Sequence, residues 1–255
     1  MNFCPFECAE KATGADAISN ESLVLLENTS FPSTDVFNLG MKIGITLPYI
    51  PLMVIALIGN SLVCFVIQNH LQHSVTNIFL FNLSITDILT TLAVIPITTV
   101  ADVWLSYWPF GAAMCKLIPF IQCLTVTLTA FTHVLISCDR FVIVFRPLQR
   151  RRFLTLSRAK LIVGLIWLFA AIQAAPLAVV GYLQNGTYPR CAESWDAQRS
   201  QVYGLTLLGL QYFLPLILLI CSYTTISLRL NSSNLRGNAG GSRIHVVARS
   251  KGKVR

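Results

Sequence analysis

Five long apolar stretches limit what this chain can become, because each exceeds the roughly 20 consecutive apolar residues that cross a bilayer core as a helix. They run from about Ile43 to Ile67, Ile78 to Ala101, Ala112 to Cys138, Leu161 to Leu183 and Val202 to Leu228. Lipid offers no hydrogen-bond partner to a bare backbone, so segments of this length and composition must be helical. Composition agrees: 54% of residues are hydrophobic and only 12% charged, with a mean hydropathy of +0.64. The expected fold is an all-α membrane protein, a transmembrane helical bundle of five spans. The expected organisation is a tail over 1–40, a membrane domain over 41–230 and a basic segment over 231–255.

Charge sets the orientation. Between the third and fourth spans lie Arg140, Arg146, Arg150, Arg151, Arg152, Arg158 and Lys160; after the fifth come Arg229, Arg236, Arg243, Arg249, Lys251, Lys253 and Arg255. Those are fourteen of the nineteen basic residues, and basic residues mark the cytoplasmic side. The N-terminus is then expected outside, with nine of the eleven acids. The first forty residues carry seven acidic or basic side chains before Lys42 and no continuous apolar core, so no cleavable leader is expected and the first span serves as the targeting signal. The net charge of +8 is therefore sidedness. Nucleic acid is not an expected partner, since no aromatic platform interleaves with the arginines.

On the outer side, sequons at Asn20, Asn28 and Asn185 are expected glycosylation sites. Those at Asn82, inside a span, and Asn231, in the cytosol, are not. Of eight cysteines, Cys64, Cys123, Cys138 and Cys221 lie in or at the ends of spans, where a small apolar thiol is ordinary. Cys115 and Cys191 sit at outer ends in an oxidising compartment, where a bridge between them would tie the loop before the fifth span across the bundle mouth. Cys4 and Cys8 remain open: paired together, free, or joined to another chain. Trp104 to Gly111 is an aromatic cluster in which Pro109 and Gly111 bracket Phe110 and set a turn.

Polar residues within spans need neighbours. Asn60, Asn82 and Asp87 are expected to form an inward polar cluster, and Asp87, the acid deepest in a span, marks a functional pathway or holds helices together. Pro96, Pro176 and Pro215 each remove a backbone bond and bend their helix. Asp139-Arg140-Phe141 places an acid and an arginine where the third apolar segment runs out, a switch at the membrane surface.

In this order, Gly59-Asn60, Asn82-Leu83 with Asp87, Trp108-Pro109-Phe110-Gly111 before Cys115, Asp139-Arg140-Phe141 with Pro147-Leu148, Trp167, Pro176, Pro215 and Tyr223 resemble the rhodopsin-like G-protein-coupled receptors. The resemblance covers about Gly40 to Leu230 and implies the N-terminal portion of a seven-helix receptor fold. It implies that Arg140 faces a heterotrimeric G protein, held by Asp139 at rest and met by Tyr223 when active, with Pro147 and Leu148 in the coupling loop. Phe141 stands where tyrosine is usual, which implies an altered basal balance. Asp87 with Asn60 and Thr129 resembles the sodium pocket of that family.

Seven residues after Cys115, where amine receptors carry an aspartate, stands Gln122. This resembles the receptors for neuropeptide Y, neuropeptide FF and orexin. It implies a neuropeptide ligand, C-terminally amidated, since a glutamine can donate to and accept from a neutral amide; interhelical bonding is the plainer alternative. Asp102, Glu193 and Asp196 would give the mouth a negative field suited to a basic peptide.

The expected location is the plasma membrane, with the lipid bilayer and a receptor oligomer as further partners. No cofactor, metal site or enzymatic constellation is expected: His70, His73, His133 and His245 are scattered. The chain as read stops after five spans, and the expectation is that alone it is unstable or nonsignalling. The alternative is an isoform or fragment that associates with and modulates a full-length receptor. An opsin-like receptor and a transporter are weaker readings.

Overall fold

The computed structural model describes residues 38–69, 74–146 and 155–231. Five helices in it are long and apolar enough to cross a membrane: α1 (Leu39–Asn69), α2 (Val75–Leu105), α3 (Gly111–Phe145), α4 (Leu156–Val180) and α5 (Ala197–Asn231). A two-stranded antiparallel hairpin, β1 (Gly181–Gln184) and β2 (Arg190–Glu193), joins α4 to α5. Asn20, Asn28, Cys4, Cys8, Pro147, Leu148, His70, His73, His245 and the segment 232–255 lie outside the described residues.

Local chemistry sets the helix starts. The Ser74 hydroxyl accepts from the Asn77 N–H at 3.2 Å and opens α2, and the Thr155 hydroxyl accepts from Arg158 N–H at 3.4 Å and opens α4. α2 is not uniformly α-helical. Thr90–Val94 and Thr99–Leu105 are π-helical and flank the turn that contains Pro96. Proline supplies no N–H, and the widened turns redistribute carbonyls that the threonines of this stretch also satisfy. Thr90 donates to Thr86 O at 3.0 Å, Thr91 to Asp87 O at 2.7 Å and Thr98 to Val94 O at 2.9 Å. The helix ends at Ser106, which takes a left-handed conformation with φ of 56°.

Helix α3 runs through the middle of the bundle. Small residues on α4 let its backbone approach α3 closely, as expected where lipid removes any hydrophobic drive between helices. Ala170 and Ala174 are fully buried against Cys123, Leu124, Leu128 and Leu177. Lower down, fully buried Ala159 packs with Val75 and Phe79 of α2. By contrast α1 turns apolar side chains such as Leu47, Leu52, Ile55 and Leu62 outward, as a lipid-facing helix does.

Two boundaries differ from the sequence expectation. The fourth span was expected to reach Leu183, but α4 stops at Val180 and residues 181–183 are strand. Gly181 explains the break: a Cβ there would lie 3.0 Å from Leu177 O and 3.3 Å from Cys115 O, so the chain passes flush against the top of α3. The third helix, in turn, does not run out at Asp139 but continues through Val142, Ile143 and Val144 to Phe145. The Asp139-Arg140 pair is inside a helix, above a last apolar turn.

Gly181→Ala is expected to destabilise the protein by about 1–3 kcal/mol through overpacking, measured by thermal unfolding in detergent micelles. Gly164→Ala, on α4 with open space around its Cα, is expected to leave stability unchanged or slightly raised.

Candidate functional site

At the hairpin end of the bundle, the Cys115–Cys191 disulfide joins the start of α3 to β2, with Cα atoms 5.5 Å apart. The aromatic loop before α3 buttresses it. Trp108 is buried with Ala101, Cys115 and Ile118; its backbone N–H donates to Pro189 O at 2.7 Å and its indole N–H to Gly111 O at 3.0 Å. Tyr107 meets Tyr188 with ring centroids 5.8 Å apart, and Phe110 meets Trp108 edge-on at 5.5 Å. Gly111 has φ of 78°, which requires a residue without a Cβ there. The hairpin is thus held by a covalent bond on one strand and an aromatic loop at its turn.

A second clasp lies between α1 and α2. The Lys42 ammonium, buried, donates to Trp104 O at 3.0 Å, at the negative end of the α2 dipole. The Trp104 indole N–H donates to the Thr46 hydroxyl at 3.0 Å. Trp104 therefore does more than sit in an interfacial belt. The sequence reading passed over Lys42, a lone cation that composition treats as topogenic.

Beneath the hairpin a polar seam crosses α3, α4 and α5. Gln211 is buried while its neighbours Tyr212 and Phe213 are exposed, because the π-helical turn Gly209–Phe213 rotates it inward. Its side-chain N–H2 donates to Thr127 Oγ1 at 2.8 Å and lies 3.3 Å from Cys123 Sγ. Thr127 donates to Cys123 O at 2.8 Å and approaches Gln173 Oε1 at 3.4 Å. Tyr203 donates to Gln173 O at 2.8 Å and stacks on Trp195, centroids 5.1 Å apart. Two buried donors here, Gln173 Nε2 and Trp195 Nε1, have no hydrogen-bond partner. Such donors point to an acceptor supplied by something else.

Gln122 directly precedes Cys123 on α3 and is exposed; among the described residues its side chain makes no hydrogen bond. The outer acids are less concerted than expected. Asp102 and Glu193 are exposed, whereas Asp196 pairs with Arg199 at 3.4 Å on an open surface, where an ion pair contributes little and offsets the negative field. Asn185 is exposed at the hairpin turn.

Among the described residues no hydrogen bond joins Asn60, Asn82 and Asp87 to one another. Asn60 donates to Ala56 O at 2.9 Å, within its own helix. Asn82 instead bonds toward α3 and α4: it donates to Thr132 Oγ1 at 2.8 Å and accepts from the Trp167 indole N–H at 2.7 Å. Asp87 is half-buried, within electrostatic reach of His133, whose ring lies 2.8 Å from Thr129 O. Thr129 is half-buried on the same stretch of α3.

At the inner end, Asp139 is buried and accepts from the Thr76 hydroxyl at 2.6 Å. Arg140 points outward, and no Asp139–Arg140 ion pair occurs among the described residues, so the expected hold of Asp139 on Arg140 is replaced by one on α2. Adjacent residues on a helix point about 100° apart, which is why neighbours in sequence do not face each other. Phe141 and Tyr223 are both exposed.

The geometry is that of a bundle of apolar helices with a disulfide-anchored hairpin at one end and an acid buried beside an exposed arginine at the other. Residues 59–251 match the family described as 7 transmembrane receptor (rhodopsin family), and the chain belongs to it. It is 33% identical to a RYamide receptor of Tribolium castaneum over 94% of this chain and 69% of that one. It is 34% identical to the RYamide receptor of Drosophila melanogaster over 84% of this chain and 48% of that one. A neuropeptide FF receptor 2 of Rattus norvegicus is 33% identical over 81% of this chain and 53% of its own length. The chain thus spans about half the length of two of these relatives. They are receptors, not enzymes.

Replacing Asn82 by alanine leaves the Trp167 N–H without its acceptor inside the bundle. The expected loss is about 1–2 kcal/mol, read from unfolding in mixed micelles, with Thr132→Val losing less because the Asn82–Trp167 bond is kept and the hydroxyl's other bond, to Leu128 O, lies within its own helix. Equal stability of Asn82→Ala and parent would contradict this assignment.

Proposed function

We propose that this protein is a plasma-membrane receptor for a C-terminally amidated neuropeptide, with its N-terminus outside and a heterotrimeric G protein as its cytoplasmic partner. The observation that carries the ligand reading is the pair of buried donors below the hairpin, Gln173 Nε2 and Trp195 Nε1, which have no partner among the described residues, with Gln122 exposed on α3. A neutral carboxamide both donates and accepts, so it matches glutamine on both counts, while a free carboxylate only accepts. Two of the relatives above are receptors named for RYamide, which supports a peptide of that terminal chemistry.

The roles follow from position. Gln122 contacts the terminal amide, Trp195 and Gln173 donate to peptide carbonyls, and Asp102 and Glu193 attract basic side chains at the mouth. The Cys115–Cys191 bridge keeps the hairpin from closing over the opening. On the inner side Arg140, already exposed and free of Asp139, is the group presented to the G protein, with Asp139 holding the local helix against α2 through Thr76. Pro147, Leu148 and Tyr223 complete the coupling surface, and Asp87 with Asn60 and Thr129 forms the polar core between the two ends. N-glycans are carried at Asn20, Asn28 and Asn185, and the receptor assembles with further copies.

Radioligand competition in membranes bearing a full-length form tests the ligand reading. An amidated peptide is expected to bind at least about tenfold more tightly than its free acid, a difference of about 1.4 kcal/mol, and Gln122→Ala is expected to erase that preference. Unchanged binding and preference in Gln122→Ala would remove Gln122 from the site.

A further inference from the structure

Below Arg140, α3 continues for five residues, and this last apolar turn carries two aromatic rings four positions apart, Phe141 and Phe145. That spacing puts both on one helix face. Their rings are stacked, with centroids 4.5 Å apart and planes inclined by 23°. From the other side, the guanidinium carbon of Arg229, two residues from the end of α5, lies 5.9 Å from the centre of the Phe145 ring. The three side chains form a continuous stack from α3 to α5 immediately beside the exposed Arg140.

We propose that Phe141 and Phe145 form an aromatic shelf on which Arg229 is seated, and that this shelf sets the separation of α3 and α5 next to Arg140. Phe145 supplies the ring face. Phe141 is a positioning residue that acts through Phe145, fixing the tilt of its ring. A guanidinium is flat, weakly hydrated and suited to an aromatic face, and at the half-wet membrane boundary its stem lies along apolar surface while its head stays solvated. Phe141 suits this duty better than the tyrosine usual at its place, because it has no hydroxyl to draw the ring rim toward water. The departure in the Asp139-Arg140-Phe141 stretch is thus tied to a cation on another helix. The inference rests on helix-to-helix geometry and stands apart from the identity of the peptide or the transducer.

The test uses the whole 255-residue chain in lipid nanodiscs. Nitroxide labels on Cys138 and Cys221, both free and exposed, report the distance between α3 and α5, with Cys4, Cys8 and Cys64 replaced by serine. The parent is expected to give one dominant distance. Arg229→Gln, which keeps length and polarity but removes the charge, is expected to raise the population of the separated conformer about threefold; Arg229→Lys is expected to stay near the parent. Phe145→Leu and Phe141→Leu should each reproduce the glutamine effect, and neither should add to it in the double variant. A parent-like distribution for Arg229→Gln, a lysine variant no better than glutamine, or fully additive double variants would overturn the proposal. Arg229 is exposed near a helix end, so its substitutions are not at a buried position.

Discussion

Asn82 is the residue on which the rest of the bundle depends. A primary amide inside a lipid-embedded bundle must find partners or lose free energy, and Asn82 finds them on two other helices at once, Thr132 on α3 and Trp167 on α4. This fixes the rotation of α2, α3 and α4 about their axes together. Rotation decides what each helix presents elsewhere: with Asn82 turned toward α4, Thr76 two turns earlier reaches Asp139, and Ala170 and Ala174 face Leu124 and Leu128. The polar bonds choose the register, and the small-residue packing fills it.

The outer and inner ends then differ in kind. Outside, a covalent bond, a buried tryptophan and a buried lysine make a stiff rim around the hairpin. Below it Gln173, Gln211, Thr127 and Tyr203 form a hydrogen-bonded seam, in which Gln173 Nε2 and the neighbouring Trp195 Nε1 have no partner among the described residues. At the other end Asp139 is buried against Thr76 and Arg140 is exposed.

Much of this was legible in the sequence. Apolar length gave five helices, and the outer positions of Cys115 and Cys191 pointed to their bond. The hairpin was missed because Gly181-Tyr182-Leu183 reads as a continuation of an apolar span; the Asn185-Gly186 pair, a strong turn signal, could have revealed it. Gln173 and Gln211 were missed because neither carries a charge, although amides in apolar spans raise the same question that was asked of Asn60 and Asn82. The hold of Asp139 on Arg140, which the family resemblance implied, does not occur among the described residues, where Asp139 accepts from Thr76 instead. Which helix captures a polar group depends on helix rotation, and no single span encodes that by itself.

The proposed ligand role of Gln122 requires that it face an opening reached from the N-terminal side and not a lipid-facing surface. Substituted-cysteine accessibility tests it directly. In sealed cells, Gln122→Cys is predicted to react with a membrane-impermeant charged thiol reagent applied outside, and much faster than Leu168→Cys on the exposed apolar face of α4. Equal, slow reaction at both positions would contradict the account.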